Sequence, residues 1–133
     1  MLILGLGNPG NRYVQNRHNV GFWVIDQVSR FLSVPVKKRF FLPYAIGSSV
    51  IGGKKIFLVK PYTYMNRSGD ILKRLFKSTG RTLKDIIVVC DNMDLPPGQV
   101  RLKLKGSSGG QRGLDSIILN LGSDVFTRIF IGI

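Results

Sequence analysis

The sequence contains one side chain suited to general base catalysis at neutral pH, because His18 is its only histidine. An imidazole titrates near pH 6.5, at about the pH at which it can take a proton from water. Asp91 follows the apolar run 86–90, and its carboxylate could accept the Nδ1 proton of His18 and stabilise the imidazolium. The structural alternatives are a solvated histidine and an aspartate that begins the turn into residues 96–98. The two residues together predict a water-activating pair, provided that the fold brings them together.

Two asparagines lie in loops that could line the same crevice. Asn8 belongs to the segment 7–10, and Asn66 belongs to the segment 64–67. An amide offers a donor and an acceptor, so it can hold a peptide backbone or position a water without adding charge. Asparagine is also a common turn residue, which is the alternative interpretation of each.

Two glycine-rich motifs suggest other chemistries. Residues 5–10 match the dinucleotide fingerprint G-x-G-x-x-G, but Pro9 removes a donor and the helix is expected only from about residue 20. Residues 106–110 match G-x-S-x-G, which would make Ser108 a nucleophile. Glycines continue to residue 113, however, and this favours a phosphate or substrate loop over a tight nucleophile elbow.

Composition excludes several classes of protein. One histidine, one cysteine and scattered carboxylates show no metal-ligand spacing, and a single cysteine forms no disulfide within the chain. The N-terminus lacks the pattern of a signal peptide, and no apolar run approaches a membrane span. The formal net charge of +13 predicts a polyanionic partner, with nucleic acid as the leading candidate.

The hydrophobic pattern predicts one α/β domain over residues 1–133, with three layers and a mixed, mostly parallel central sheet flanked by helices. Strands are expected at 2–6, 44–51, 55–59, 86–90, 99–105 and 127–133, and helices at 20–32, 69–79 and 114–121. Gly52 and Gly53 predict a primed hairpin turn. Ser68 is expected to cap the second helix, and Gly80 is expected to end it in a left-handed conformation.

Residues 99–105 alternate strictly between apolar and basic side chains. The pattern predicts a strand that buries Val100, Leu102 and Leu104 in the core. Its other face would carry a basic stripe for nucleic acid, formed by Arg101, Lys103 and Lys105.

Taken together, these segments resemble the bacterial-type peptidyl-tRNA hydrolase family over essentially the whole chain. The resemblance rests on residues 4–10 with Tyr13, 17–21, 60–61 with 63–69, 91–98 and 106–116. It implies an enzyme that cuts the ester between a peptide and the 3′ end of tRNA, with no metal and no organic cofactor. In these terms His18 is the catalytic base and Asp91 is its partner.

The resemblance also implies roles for four further residues. Asn8 and Asn66 resemble the two amides that hold the peptide portion of the substrate. Met65 would help to shape the cleft, and Tyr13 resembles a residue near the tRNA terminus. Peptidyl-tRNA would be the partner of a monomeric cytoplasmic enzyme that does not bind a membrane.

The chain departs from the family pattern in two places. Gln111 and Arg112 stand where family members usually carry histidine and asparagine, and both are expected to bind the substrate. Gln111 keeps hydrogen-bonding capacity, and Arg112 could contact a phosphate instead. Family members also continue beyond the strand that ends at Ile133, so the chain is expected to lack a C-terminal helical segment. The alternatives to the hydrolase are a non-hydrolytic RNA-binding relative and a serine hydrolase that uses Ser108.

Overall fold

A computed structural model describes residues 1–133 and arranges them around one seven-stranded sheet. The strands are β1 (Leu2–Gly5), β2 (Lys37–Lys38), β3 (Tyr44–Ile51), β4 (Lys54–Pro61), β5 (Ile86–Asn92), β6 (Val100–Lys103) and β7 (Thr127–Gly132). The helices are α1 (Val20–Leu32), α2 (Leu72–Thr79) and α3 (Arg112–Leu121). The strand order is β2-β3-β4-β1-β5-β7-β6. Strands β4, β1, β5 and β7 pair in parallel, whereas β2, β3 and β6 are antiparallel to their neighbours, which confirms the mixed α/β sheet.

Helices cover both faces of the central strands and so form the three predicted layers. On one face, Ile25 of α1 packs with Leu58 of β4. On the other face, Leu75 of α2 and Leu114 of α3 pack with Leu4 of β1 in the larger core. None of the helices is long and apolar enough to span a lipid bilayer.

Helix α1 lies unusually close to the sheet because glycines meet at the crossing. A Cβ on Gly21 would lie 2.5 Å from the backbone of Leu6 and Val89, and a Cβ on Gly5 would lie 2.2 Å from the Gly21 carbonyl oxygen. Side chains at either position would push the helix outward. The close crossing draws the loop before α1, which carries His18, onto the ends of β1 and β5.

Several local predictions are confirmed. Helix α1 spans the predicted residues 20–32, and the hairpin of β3 and β4 turns at Gly52 and Gly53 with φ values of 58° and 78°. Positive φ at both central positions is the signature of the predicted primed turn. Gly80 ends α2 in a left-handed conformation with φ of 68°.

The prediction for residues 60–71 is wrong in detail. Strand β4 continues through Pro61, and a 3-10 segment Met65–Ile71 precedes α2. Ser68 does not cap the helix, because its Oγ donates to the Met65 carbonyl oxygen at 2.7 Å. The cause is close packing on α3: the Gly69 amide donates to Ser116 Oγ at 2.9 Å, and a Cβ there would lie 2.3 Å from the Ser116 carbonyl oxygen.

The predicted core face of residues 99–105 is also wrong. Val100, Leu102 and Leu104 are all exposed, with 66%, 59% and 66% of their surface accessible. Strand β6 is the edge of the sheet and pairs only with β7, beyond the reach of the three helices. Alternation predicts the two faces of a strand correctly, but it does not show whether another layer covers either face.

Candidate active site

The structure brings His18 and Asp91 together. His18 Nδ1 lies 2.7 Å from Asp91 Oδ2, although the two residues are 73 positions apart in the chain. The Asp91 side chain is 5% exposed, whereas the His18 side chain is 49% exposed. Because an ionised carboxylate only accepts, Nδ1 carries the proton in the neutral imidazole, and Nε2 has no hydrogen-bond partner in the protein. The pair therefore has the geometry of a base held by a buried acid.

Hydrogen bonds between side chains and the backbone fix the loop that carries His18. Asn16 Oδ1 accepts from the His18 amide at 2.9 Å and caps the 3-10 turn Arg17–Asn19. Trp23, in the first turns of α1, donates its indole N–H to the Val14 carbonyl oxygen at 2.8 Å. These bonds hold the loop against the helix, so the backbone that positions the imidazole next to Asp91 is fixed.

Asn8 is held in one orientation by two neighbouring segments. Its Oδ1 accepts from the Met65 amide at 2.7 Å. The buried Asn19 pairs with the Asn8 backbone, accepting from its N–H and donating to its carbonyl, both at 2.9 Å. Since the Asn8 oxygen is occupied, its Nδ2 is left free to donate into the cavity.

Gln111 binds the second oxygen of Asp91. Its Nε2 donates to Asp91 Oδ1 at 2.9 Å and also contacts Met65 Sδ at 3.3 Å. Its Oε1 accepts from the Leu114 amide at 2.7 Å and so caps α3. Each Asp91 oxygen therefore has one donor: His18 on one side and Gln111 on the other.

These residues line a cavity of about 660 Å³ at the carboxyl ends of β1 and β5, which is where open α/β sheets bind ligands. It is lined by Asn8, Tyr13, Asn16, His18, Met65, Asp91, Asn92, Met93, Asp94, Gly109, Gly110, Gln111 and Arg112. A second hollow of about 470 Å³ shares His18, Asn16 and Met93 with it, so His18 borders both.

Four of the predicted site residues lie outside this cavity. Asn66 follows Met65 but is exposed and is not part of the lining. Arg101, Lys103 and Lys105 are exposed on or just beyond the edge strand β6. Tyr13 and Arg112 do line the cavity, and Arg112 forms no ion pair within the protein.

Ser108 does not have the surroundings of a nucleophile. Ser108 is not among the residues that line the cavity, and its Oγ accepts from the Gly110 amide at 3.1 Å. His18 is paired with Asp91 instead. The dinucleotide motif has no suitable context either, because the first α-helix begins only at Val20, after two short 3-10 turns.

A buried arginine anchors the start of the glycine-rich loop. The Arg128 guanidinium donates to the carbonyl oxygens of Gly106 at 2.6 Å and Ser107 at 3.4 Å. It also donates to the carbonyl oxygens of Asp124 and Phe126. Burial lowers the pKa of Arg128, and the nearby Asp124 charge opposes that shift. The arginine thus connects the loop before α3 to the loop between α3 and β7.

Cys90 precedes Asp91 but has no reactive character. Its side chain is fully buried, and burial, followed by the Asp91 charge, raises the pKa of the thiol to about 12. A thiol of that pKa holds its proton at neutral pH and is a poor nucleophile. No three side chains of His, Cys, Asp or Glu converge to form a metal-ligand cluster.

Sequence reasoning missed two residues that support the site. Asn19 borders His18 and precedes α1, and an amide at a helix start is a recognised signal for bonding to nearby backbone. Arg128 occupies an inward-facing position in β7, next to the inward Phe130. The single cation in this apolar strand could have indicated a buried arginine. Its carbonyl partners, however, come from loops that no local sequence pattern connects to it.

The fold and site define a three-layer α/β protein in which a carboxylate–imidazole pair opens on a cavity of about 660 Å³. The sequence model described as peptidyl-tRNA hydrolase matches residues 2–133. The chain is 48% identical to a peptidyl-tRNA hydrolase of Geobacillus kaustophilus over 132 residues and 45% identical to that of Bacillus subtilis over 133 residues. It spans 70% of the length of each of these relatives, and the alignments cover 99% and 100% of the chain.

Solved structures of peptidyl-tRNA hydrolases also match this chain. A crystal structure of peptidyl-tRNA hydrolase from Acinetobacter baumannii superposes with a TM-score of 0.92 at 39% identity. The match covers 99% of this chain and 67% of that one. This chain therefore belongs to the peptidyl-tRNA hydrolase family.

Proposed function

We propose that this protein hydrolyses the ester that joins a peptide to the 3′ end of tRNA, and so recycles peptidyl-tRNA released from ribosomes. The observation that carries the proposal is the 2.7 Å pair of His18 and Asp91 at a cavity, in a chain that belongs to this family. The pair is the one arrangement in the cavity that combines a free basic nitrogen with a buried acid to stabilise its protonated form.

In the proposed mechanism, His18 Nε2 removes a proton from a water molecule as that water attacks the ester carbonyl. Asp91 stabilises the resulting imidazolium through Nδ1–H. Asn8 Nδ2 is a free amide donor at the cavity and would donate to the carbonyl oxygen as negative charge develops on it. The tetrahedral intermediate then collapses, and the ribose oxygen leaves with the proton that His18 acquired. The products are a peptide with a free carboxylate and a tRNA with a free hydroxyl.

Other residues are proposed to position the substrate. Met65 shapes the wall of the cavity that receives the peptide, and the exposed Asn66, next to Met65 in the chain, would bind the peptide backbone further from the ester. Tyr13 would lie near the 3′-terminal nucleotide, and the exposed Arg112 would contact a phosphate. The two hollows that border His18 offer separate room for the peptide and the tRNA end.

We propose that the basic edge of the sheet binds the tRNA backbone. Arg101, Lys103 and Lys105 are exposed cations, in a protein whose formal net charge is +13. Phosphate contacts of this kind orient a nucleic acid and raise its affinity without reading its sequence. The chain is further proposed to work as a cytoplasmic monomer, without metal or organic cofactor.

Replacement of all three cations by alanine is expected to raise KM and leave kcat unchanged. The slope of log affinity against log salt should become shallower by about 2 to 3, since each phosphate contact contributes roughly 0.7–0.9. The matched control replaces Lys73, Arg74 and Lys77 on the outer face of α2, which removes the same charge. Equal effects of the two variants would mean that net charge alone, and not this edge, binds the tRNA.

Turnover of a purified peptidyl-tRNA by the wild-type protein tests the proposed function. We expect cleavage by the wild type and undiminished cleavage by Ser108→Ala, because Ser108 does not line the cavity and His18 is paired with Asp91. Binding of tRNA without cleavage would support the non-hydrolytic RNA-binding relative instead. Near-complete loss of activity in Ser108→Ala, with the fold intact, would favour the serine hydrolase.

A further inference from the structure

Both ends of the Gln111 amide are engaged inside the protein. The Leu114 amide can only donate, so Oε1 must face it; Nε2 must then face Asp91 Oδ1. A flipped amide would set two donors against each other at α3 and two acceptors against each other at Asp91. Gln111 as a residue is 9% exposed, and Nε2 donates its second hydrogen to Met65 Sδ. Gln111 therefore has no free donor to offer a substrate, which is a departure from the substrate-binding role predicted for it.

We propose that Gln111 is a positioning residue that fixes the Asp91 carboxylate and, through it, the tautomer of His18. The inference rests on the proposed function and assigns Gln111 to the charge pair rather than to substrate binding. The Nε2 bond holds the carboxylate plane so that Oδ2 points at His18 Nδ1. The Oε1 bond anchors the same side chain to the first turn of α3, so the Gln111 amide is held at both ends.

A neutral amide suits this position for an electrostatic reason. An arginine or a protonated histidine at 111 would place a permanent or titrating positive charge on Asp91 and so weaken its stabilisation of the His18 imidazolium. The glutamine donates a hydrogen bond without adding charge, so the full carboxylate charge remains available to His18. Gly113 leaves room for the amide, because a Cβ there would lie 3.1 Å from Gln111 Oε1 and 2.6 Å from Met65 Sδ.

Two substitutions separate positioning from helix capping. Gln111→Glu keeps an oxygen to accept from the Leu114 amide, so α3 stays capped, but it replaces the donor to Asp91 with an acceptor. Gln111→Leu removes both bonds at similar volume. For both variants we expect kcat to fall roughly 10- to 100-fold, the rate equivalent of one charge-assisted hydrogen bond, with KM unchanged. Gln27→Glu and Gln27→Leu on the exposed face of α1 are the matched controls.

The pH profile distinguishes positioning from mere stability. In Gln111→Glu, the ratio of variant to wild-type kcat should rise as the pH falls toward about 5, because the introduced carboxyl then holds a proton that it can donate to Asp91. The other titratable or charged groups that line the cavity are Tyr13, His18, Asp91, Asp94 and Arg112. Gln111→Leu keeps all of them without the new carboxyl, so its profile serves as the reference for their contribution. Gln111→Leu should show no such recovery.

A spectroscopic measurement makes the inference independent of turnover. His18 is the only histidine, so the imidazole signals in a ¹H–¹⁵N spectrum belong to it without assignment. We expect the Nδ1–H tautomer in the wild type and a shift toward Nε2–H in Gln111→Leu. An unchanged tautomer in that variant, or a raised KM with unchanged kcat, would overturn the positioning role. Absence of cleavage by the wild type would overturn the proposed function alone, since the spectra still decide the role of Gln111.

Discussion

Replacement of His18 by alanine is expected to lower kcat for peptidyl-tRNA by about 10²- to 10⁴-fold, the usual contribution of a positioned general base. The variant keeps the backbone bond from residue 18 to Asn16, and the lost side chain is half exposed, so the fold should persist. KM should change little, because the imidazole acts on water rather than holding the tRNA. Steady-state kinetics with a purified peptidyl-tRNA measure both constants.

The control for His18→Ala is Gln27→Ala, which removes an exposed polar side chain from the outer face of α1. Its kcat should match that of the wild type. A denaturation curve for each protein shows whether the fold has been kept. An His18→Ala variant that is folded and retains more than a third of wild-type kcat would rule out His18 as the base.

Replacement of Arg128 by methionine is expected to destabilise the protein by several kcal/mol. The guanidinium satisfies carbonyl oxygens from Gly106, Ser107, Asp124 and Phe126, and the residue is fully buried. Each buried polar group that loses its partner costs about 1–3 kcal/mol, although relaxation and water entry recover part of the total. A midpoint shift in urea at unchanged slope measures the loss.

Arg128→Lys and Arg74→Met complete that experiment. Lysine keeps the charge but lacks the planar fork, so it should reach fewer of the carbonyl groups and restore only part of the stability. Arg74 is exposed on α2, and its replacement should stay within about 0.5 kcal/mol of the wild type. If Arg128→Met has the free energy of unfolding of the wild type, the arginine does not stabilise the loops that it contacts.

The pairing of His18 with Asp91 was predictable because it depends on rare residues at informative positions in the sequence. A single histidine leaves one choice of imidazole, and a carboxylate after a fully apolar run marks the carboxyl end of a buried strand. Asp91 occupies that end of β5, and the loop that follows β1 brings His18 to it. The prediction succeeded because parallel neighbours end at one edge of the sheet, a rule that needs no side-chain detail.

The errors have a common physical origin in contacts between distant segments. Ser68 looked like a helix cap, but Gly69 must approach α3, so the chain first forms a 3-10 segment. Leu102 looked like a core residue, but nothing in the local pattern reveals that β6 is an edge strand with no helix over it. The spacing of apolar residues predicts the type of an element and its two faces, but it does not predict which other elements pack against it.

Gln111 shows the same limit within the site. Its position beside Arg112 in a glycine-rich loop suggested a substrate contact. The three bonds that occupy its amide come from β5, the 3-10 segment and α3, and they become visible only when those elements are assembled. Residue type predicted hydrogen-bonding capacity, whereas the partner depended on tertiary structure.

A double-mutant cycle on His18 and Asp91 tests the central claim most directly. If the two side chains act as one unit, Asp91→Asn should lose much of the activity that His18→Ala loses, and the double variant should be no slower than His18→Ala alone. Measured kcat values for the four proteins give the coupling. The contrary result is a double variant whose kcat is lower than that of the wild type by the product of the two single effects. It would show that Asp91 and His18 act independently, which contradicts the account.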